Sequence, residues 1–123
     1  MKRILVIDDE EQICEMLHKK LESAGYEVED AANGKMGIKL QSENPFDLII
    51  SDIFMPDKEG LETIRELRRD FPELKIIAIT GGYSSGPDEL LSVARMLGAN
   101  RTFPKPFKLK EIVESIRELL DEV

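Results

Sequence analysis

One cysteine and one histidine, Cys14 and His18, are the only thiolate or imidazole ligands in the 123-residue chain. That excludes an intramolecular disulfide and any Cys/His metal cluster, so a bound metal must sit on oxygen. Long apolar runs are missing as well: none exceeds four residues, as in Ile4 to Ile7, whereas a membrane-spanning helix needs about 20. No segment reads as a bilayer helix or a secretory signal, and the expected location is cytoplasmic. Positive charge is scarce, with 17 Lys and Arg against 25 Asp and Glu and a net charge of -8. Direct nucleic-acid binding is not expected, because that affinity comes largely from cations displacing counterions.

What is present is ordinary for one globular domain spanning residues 1–123: 41% hydrophobic and 34% charged residues, with no repeat and no low-complexity tract. Apolar runs alternate with amphipathic stretches. A strand is predicted at about Arg3 to Ile7. A helix follows from about Glu10 to Ala24, with Ile13, Met16, Leu17, Leu21 and Ala24 on its buried face and Gly25 as its cap. Tyr26 to Asp30 alternates like a strand with one less buried face, and a helix is expected from Lys35 to Ser42, with Asn33 near its start. Phe46 to Ser51, Lys75 to Thr80 and Arg101 to Phe103 are the remaining strands. Helices are expected from about Lys58 to Arg69, from near Ser85 and Asp88 to Gly98, and from Leu109 to Leu120.

These are five βα units. The strand cores Ile4-Leu5-Val6-Ile7, Leu48-Ile49-Ile50 and Ile76-Ile77-Ala78-Ile79 are apolar on both faces, as strands in a helix-covered parallel sheet are. Right-handed crossovers then favour a doubly wound α/β sheet, whose ligand site lies beyond the carboxyl ends of the strands.

Polar residues distant in sequence fall at those ends. Asp8 and Asp9 end the first strand, Asp52 the third and Thr80 the fourth, and Lys105 follows the fifth. Singly, each has a plainer explanation as a helix cap, a turn former or a solvated loop charge. Capping does not, however, require carboxylates at two neighbouring strand ends, where mutual repulsion destabilises the fold unless a cation offsets it. Clustered carboxylates without His or Cys suit a hard cation, and an incomplete oxygen shell suits Mg²⁺ bridging to a phosphoryl group. Phosphoryl transfer needs positive charge, hydrogen-bond donors and an in-line nucleophile. Mg²⁺ with Lys105, Thr80 and Asp52 would supply these.

The segments Val6-Ile7-Asp8-Asp9-Glu10, Ser51-Asp52-Ile53-Phe54-Met55-Pro56 with Gly60, Ile79-Thr80-Gly81 and Lys105-Pro106-Phe107 strongly resemble the response-regulator receiver family, over essentially the whole chain. The resemblance implies a flavodoxin-like (βα)5 sheet of order 2-1-3-4-5. It makes Asp52 the phosphoacceptor and a metal ligand, Asp9 a direct Mg²⁺ ligand, Asp8 a ligand acting largely through water, and the Phe54 carbonyl a further ligand. Lys105 would pair with a phosphoryl oxygen, aimed by a cis peptide before Pro106, and Thr80 would move to hydrogen-bond another oxygen. The implied donor is a histidine kinase or a histidine phosphotransfer protein. Such a domain is a signalling phosphoacceptor that catalyses only its own loading and reset. It signals through the surface of the fourth helix, fifth strand and fifth helix, to a downstream effector or to an output domain missing from the C-terminus.

Two departures stand out. The family commonly has Tyr or Phe where this chain has Thr102, and neighbouring Phe103 has the opposite strand parity and reads as core. The Thr80 to Lys105 separation is a few residues long, which places extra length in Gly81 to Gly86, where Tyr83 could substitute for the missing aromatic. The competing readings are a Mg²⁺-dependent aspartyl phosphohydrolase, a non-phosphorylated pseudo-receiver and a flavodoxin-like cofactor binder. The first expects Asp-x-Asp after the first strand, the second a lost site residue. The third expects a phosphate-binding loop where Asp8 to Glu11 would repel the anion.

Overall fold

Apolar residues that alternate between two opposite faces organise the molecule. The structure is a computed structural model that describes residues 1–53, 59–81 and 87–120. Its elements are β1 (Arg3–Ile7), α1 (Glu11–Ser23), β2 (Glu27–Ala31), α2 (Gly34–Glu43), β3 (Leu48–Asp52), α3 (Glu59–Asp70), β4 (Lys75–Thr80), α4 (Pro87–Leu97), β5 (Arg101–Pro104) and α5 (Leu109–Leu119). All strand pairs are parallel, and the sheet order is β2-β1-β3-β4-β5. This is the doubly wound sheet that the sequence pattern favours, in the flavodoxin-like order that the resemblance implies.

The central strands put successive side chains into different layers. Ile4 and Val6, Leu48 and Ile50, and Ile77 and Ile79 pack with Leu17, Leu21, Ile112 and Ile116 of α1 and α5. Leu5 and Ile7, Ile49, and Ile76 and Ala78 pack on the other face with Ile64, Leu67, Leu91 and Ala94 of α3 and α4. Phe103 joins the α1/α5 layer as a partly buried core residue, as its parity predicts.

Local chemistry sets the helix ends. Asn33 caps α2 by accepting the Met36 N–H at 2.8 Å. Gly25 and Gly98, at φ of 100° and 127°, follow α1 and α4 in the left-handed region where glycine is unstrained. Arg68 ties α3 to the end of α4 by donating to the carbonyls of Gly98 and Pro72 and to Asn100 Oδ1. Arg3 does the same at the opposite end, where it pairs with Glu27 and Glu29 and stacks 4.2 Å above the Phe46 ring.

One expectation about α1 is corrected. Met16 is 38% exposed, and Cys14 takes the buried place beside Leu17 and Leu21. The other four predicted residues keep their place, Leu17 and Leu21 buried and Ile13 and Ala24 partly buried against the same core, so Met16 alone lies at the edge of the face. The proposed Ser85 start of α4 and the Tyr83 loop lie outside the described residues, as does the Phe54 carbonyl.

Candidate functional site

The sheet ladder runs one step past the strands and thereby aligns the site. Asp8 N–H donates to the Ala31 carbonyl at 3.1 Å, Ile53 N–H to Ile79 at 2.9 Å, and Lys105 N–H to Thr80 at 2.7 Å. Asp8, Asp52, Thr80 and Lys105 therefore stand on one rim, at the carboxyl ends of β1, β3 and β4 and just beyond β5. The Lys105-Pro106 peptide is cis, as the resemblance implies.

Lys105 crosses the end of β4 to reach β3 and β1. Its Nζ lies 2.8 Å from Glu10 Oε1, 3.0 Å from Asp8 Oδ2 and 3.2 Å from Asp52 Oδ2. Asp8 and Asp52 are each only 2% exposed, and Thr80 is fully buried beside them. Three anions around one cation leave the cluster with two excess negative charges, and the buried pair, Asp8 and Asp52, is poorly screened by water.

The acid and the amine respond in opposite ways. Burial pushes the Asp8 carboxyl above its ordinary value, although the Glu10 N–H and the Lys105 ammonium pull the other way. Burial works against the Lys105 charge, but its ion pairs with Glu10 and Asp8 and the field of Asp52 outweigh it and hold the amine above the usual lysine range. Lys105 is thus a permanent cation of the site.

The two oxygens of Asp8 do different things. Oδ1 accepts the Glu10 N–H at 2.8 Å, which is the local turn role that any Asp after a strand could fill. Oδ2 is the one buried side-chain oxygen among the described residues that accepts no well-formed hydrogen bond, and its cationic neighbour is the Lys105 ammonium at 3.0 Å. An orphaned carboxylate oxygen facing a second buried carboxylate is what a hard cation would satisfy, and the all-oxygen donor set matches Mg²⁺.

Of the residues marked out by sequence, the structure brings Asp8, Asp52, Thr80 and Lys105 together. Asp9 is exposed, on the wall of a cleft of about 450 Å³ that also includes Glu11, Cys14, Glu15 and Asp30. Among the described residues, the three carboxylates that gather within 4.8 Å of one another are those of Asp8, Glu10 and Asp52. Glu10 is therefore a member of the cluster that sequence reasoning missed. Its signal was its place: it precedes α1 as the cap residue, yet its side chain makes no cap bond and turns to Lys105 instead. Cys14 was missed too. Its thiol donates to the Asp8 carbonyl at 3.3 Å, and burial, with Asp30 and Asp8 nearby, pushes it up to about 11.

The fold and this rim define a class: doubly wound α/β proteins that gather acids and one lysine at the carboxyl edge of the sheet. The chain belongs to the response regulator receiver family, whose domain model matches residues 4–117. It is 37% identical over 123 residues to the response regulator receiver protein CpdR of Brucella abortus (strain 2308), covering 98% of each chain. It spans about half the length of other curated relatives, such as the uncharacterized transcriptional regulatory protein YkoG of Bacillus subtilis (strain 168), to which it is 34% identical over 95% of its own length.

Solved structures agree. A CheY-like receiver domain protein from Methanospirillum hungatei JF-1 matches at a TM-score of 0.87 and 36% identity, covering 99% of this chain and 95% of that one. The response regulator TrrA of Thermotoga maritima, solved in complex with Mg²⁺ and BeF, matches at 0.83 and 38%, covering 97% and 99%. The chain is thus a receiver domain of the two-component systems, a signalling domain in which no described helix is long and apolar enough to cross a membrane.

Proposed function

We propose that Asp52 accepts a phosphoryl group from a phosphohistidine of a sensor kinase or phosphotransfer protein, with Mg²⁺ bound at the same rim. The observation that carries the reading is the buried Asp8 and Asp52 pair, bridged by Lys105, with one Asp8 oxygen that accepts no well-formed hydrogen bond. Asp8, Asp9, Asp52 and the Phe54 carbonyl are the proposed holders of the metal. Held there, Mg²⁺ would supply positive charge to offset the negative charge that develops on the transferring group. Asp52 attacks phosphorus as the donor's P–N bond breaks, and the leaving imidazole takes up a proton from solvent. Lys105 pairs with one phosphoryl oxygen throughout, and the Thr80 hydroxyl donates to another. Water attack on the acyl phosphate later returns Asp52 to its free form.

The whole of residues 1–123 acts as one such domain, located in the cytoplasm. Its output is a shift in a two-state equilibrium at the α4-β5-α5 surface, read by an effector protein or by an output domain on the same polypeptide. Thr102 is half-buried in β5, so no aromatic stands at the position the family uses to relay Thr80 motion.

The test is incubation with acetyl phosphate and Mg²⁺, read by intact mass. Wild type gains one labile phosphoryl group and Asp52→Asn gains none. Equal labelling of the two proteins, or none of wild type, ends the assignment.

A further inference from the structure

Glu10 is the odd member of the cluster. Asp8 and Asp52 are fixed by burial and by the sheet, whereas the Glu10 side chain is 59% exposed and reaches Lys105 from the solvent side. It nevertheless makes the shortest of the three contacts, 2.8 Å against 3.0 and 3.2 Å. The Lys105 side chain is only 11% exposed, so the ammonium is enclosed by these acids rather than hydrated. An exposed carboxylate at an enclosed cation is held by charge and little else, and it can swing away without leaving a buried hole.

We propose that Glu10 is a positioning residue: an exchangeable anion that holds Lys105 over the rim in the unloaded chain and gives it up to the phosphoryl group. The proposal rests on the reading of Asp52 as phosphoacceptor. An incoming phosphoryl oxygen needs the donor protons that Glu10 now occupies, and two anions on the outer side of one ammonium repel each other. Loading therefore requires Glu10 to leave and unloading allows it to return. Asp8 cannot play this part, because its Oδ1 is tied to the Glu10 N–H. Asp52 cannot either, because it is the nucleophile that takes up the phosphoryl group.

The exchange has consequences that a merely structural ion pair lacks. Removing the Glu10 charge should speed loading only while Lys105 is there to be competed for. Exposed pairs of this kind are worth up to about 1 kcal/mol, so the expected acceleration is roughly three- to fivefold.

The experiment measures loading by acetyl phosphate at saturating Mg²⁺ for wild type, Glu10→Gln, Lys105→Ala and the double variant, with thermal melts to show that each is folded. Glu10→Gln should load roughly three- to fivefold faster than wild type and make no difference in the Lys105→Ala background. A second readout needs no turnover. Proton NMR of the metal-free chain should show a nuclear Overhauser contact between the Lys105 ε-methylene and the Glu10 γ-methylene, and that contact should vanish when Mg²⁺ and beryllofluoride are added. An unchanged or slower rate in Glu10→Gln overturns the proposal. So does the same acceleration with and without Lys105, which would be bulk electrostatics, or a contact that survives beryllofluoride. Failure of wild type to load at all is a different outcome, and it overturns the phosphoacceptor reading on which this one stands.

Discussion

Asp8 shows how one residue can satisfy two explanations at once. Its Oδ1 makes the backbone bond that a turn-forming Asp makes, and its Oδ2 stands at the rim accepting no well-formed hydrogen bond. Asn keeps the first oxygen and removes the charge on the second. In metal-free buffer near pH 7, Asp8→Asn should therefore raise stability by about 1–2 kcal/mol, seen as a higher Tm, while abolishing any stabilisation by Mg²⁺. A lower Tm would mean that the Lys105 pair outweighs burial of the carboxylate. Cys14 supports a second test. Its thiol is buried and held up at about 11, so at pH 8 the native chain should react with a thiol-specific disulfide reagent at least tenfold more slowly than the denatured chain. The same shift has a sign in stability. The folded state keeps the Cys14 proton above the thiol's ordinary 9.0, and it keeps the Lys105 proton above the usual lysine range, so both contributions are complete at neutral pH. The first is lost as pH climbs from 9 towards 11, the second higher still. Urea midpoints should therefore fall above pH 9, and Cys14→Ala should flatten the first part of that fall.

At the scale of elements, Gly60 decides how closely α3 approaches the strand that carries Asp52. A Cβ at Gly60 would overlap the Ile53 backbone at its Cα and carbonyl, and backbone there cannot yield, since the Ile53 N–H is bonded to Ile79. Gly60→Ala should destabilise by about 1–3 kcal/mol and slow phosphoryl loading as well, because the residue displaced is the neighbour of Asp52. A denaturant melt together with the loading assay checks both, and a stable variant with normal loading would show that α3 can retreat. Element boundaries were largely legible in the sequence wherever two-sided apolar runs or turn residues spoke: β1 and β4 lie at Arg3–Ile7 and Lys75–Thr80 as predicted. Where the pattern misled, as with Met16 on α1, the cause was that helical periodicity alone cannot say where the edge of a buried face falls. Cys14 is buried beside the Asp8 carbonyl, and that is a tertiary contact.

For the whole molecule, four of the 25 acids, Asp8, Asp9, Glu10 and Glu11, fall in one stretch, and the fold sets Asp8 and Glu10 of that stretch beside Asp52. Four of the five rim residues could be named from sequence because a doubly wound sheet sends every strand's carboxyl end to the same edge. Glu10 was not, because its place before α1 marks it only as a helix-cap residue, and that its side chain turns to a lysine 95 residues on is a tertiary contact. This distribution separates two effects of added salt. Monovalent ions screen the whole acidic surface and should raise the Tm modestly in every variant. On the proposed reading Mg²⁺ at matched ionic strength would act through the rim, stabilising by an amount that grows with its concentration over Kd, about 2.7 kcal/mol at a hundredfold excess. The Mg²⁺-specific increment should accordingly be present in wild type and fall to the monovalent level in Asp52→Asn and Asp8→Asn, while Glu10→Gln keeps it, since Glu10 serves the lysine and not the metal. An increment that survives the loss of both buried acids would place the cation elsewhere on the acidic surface, and one lost with Glu10 would make that residue a ligand.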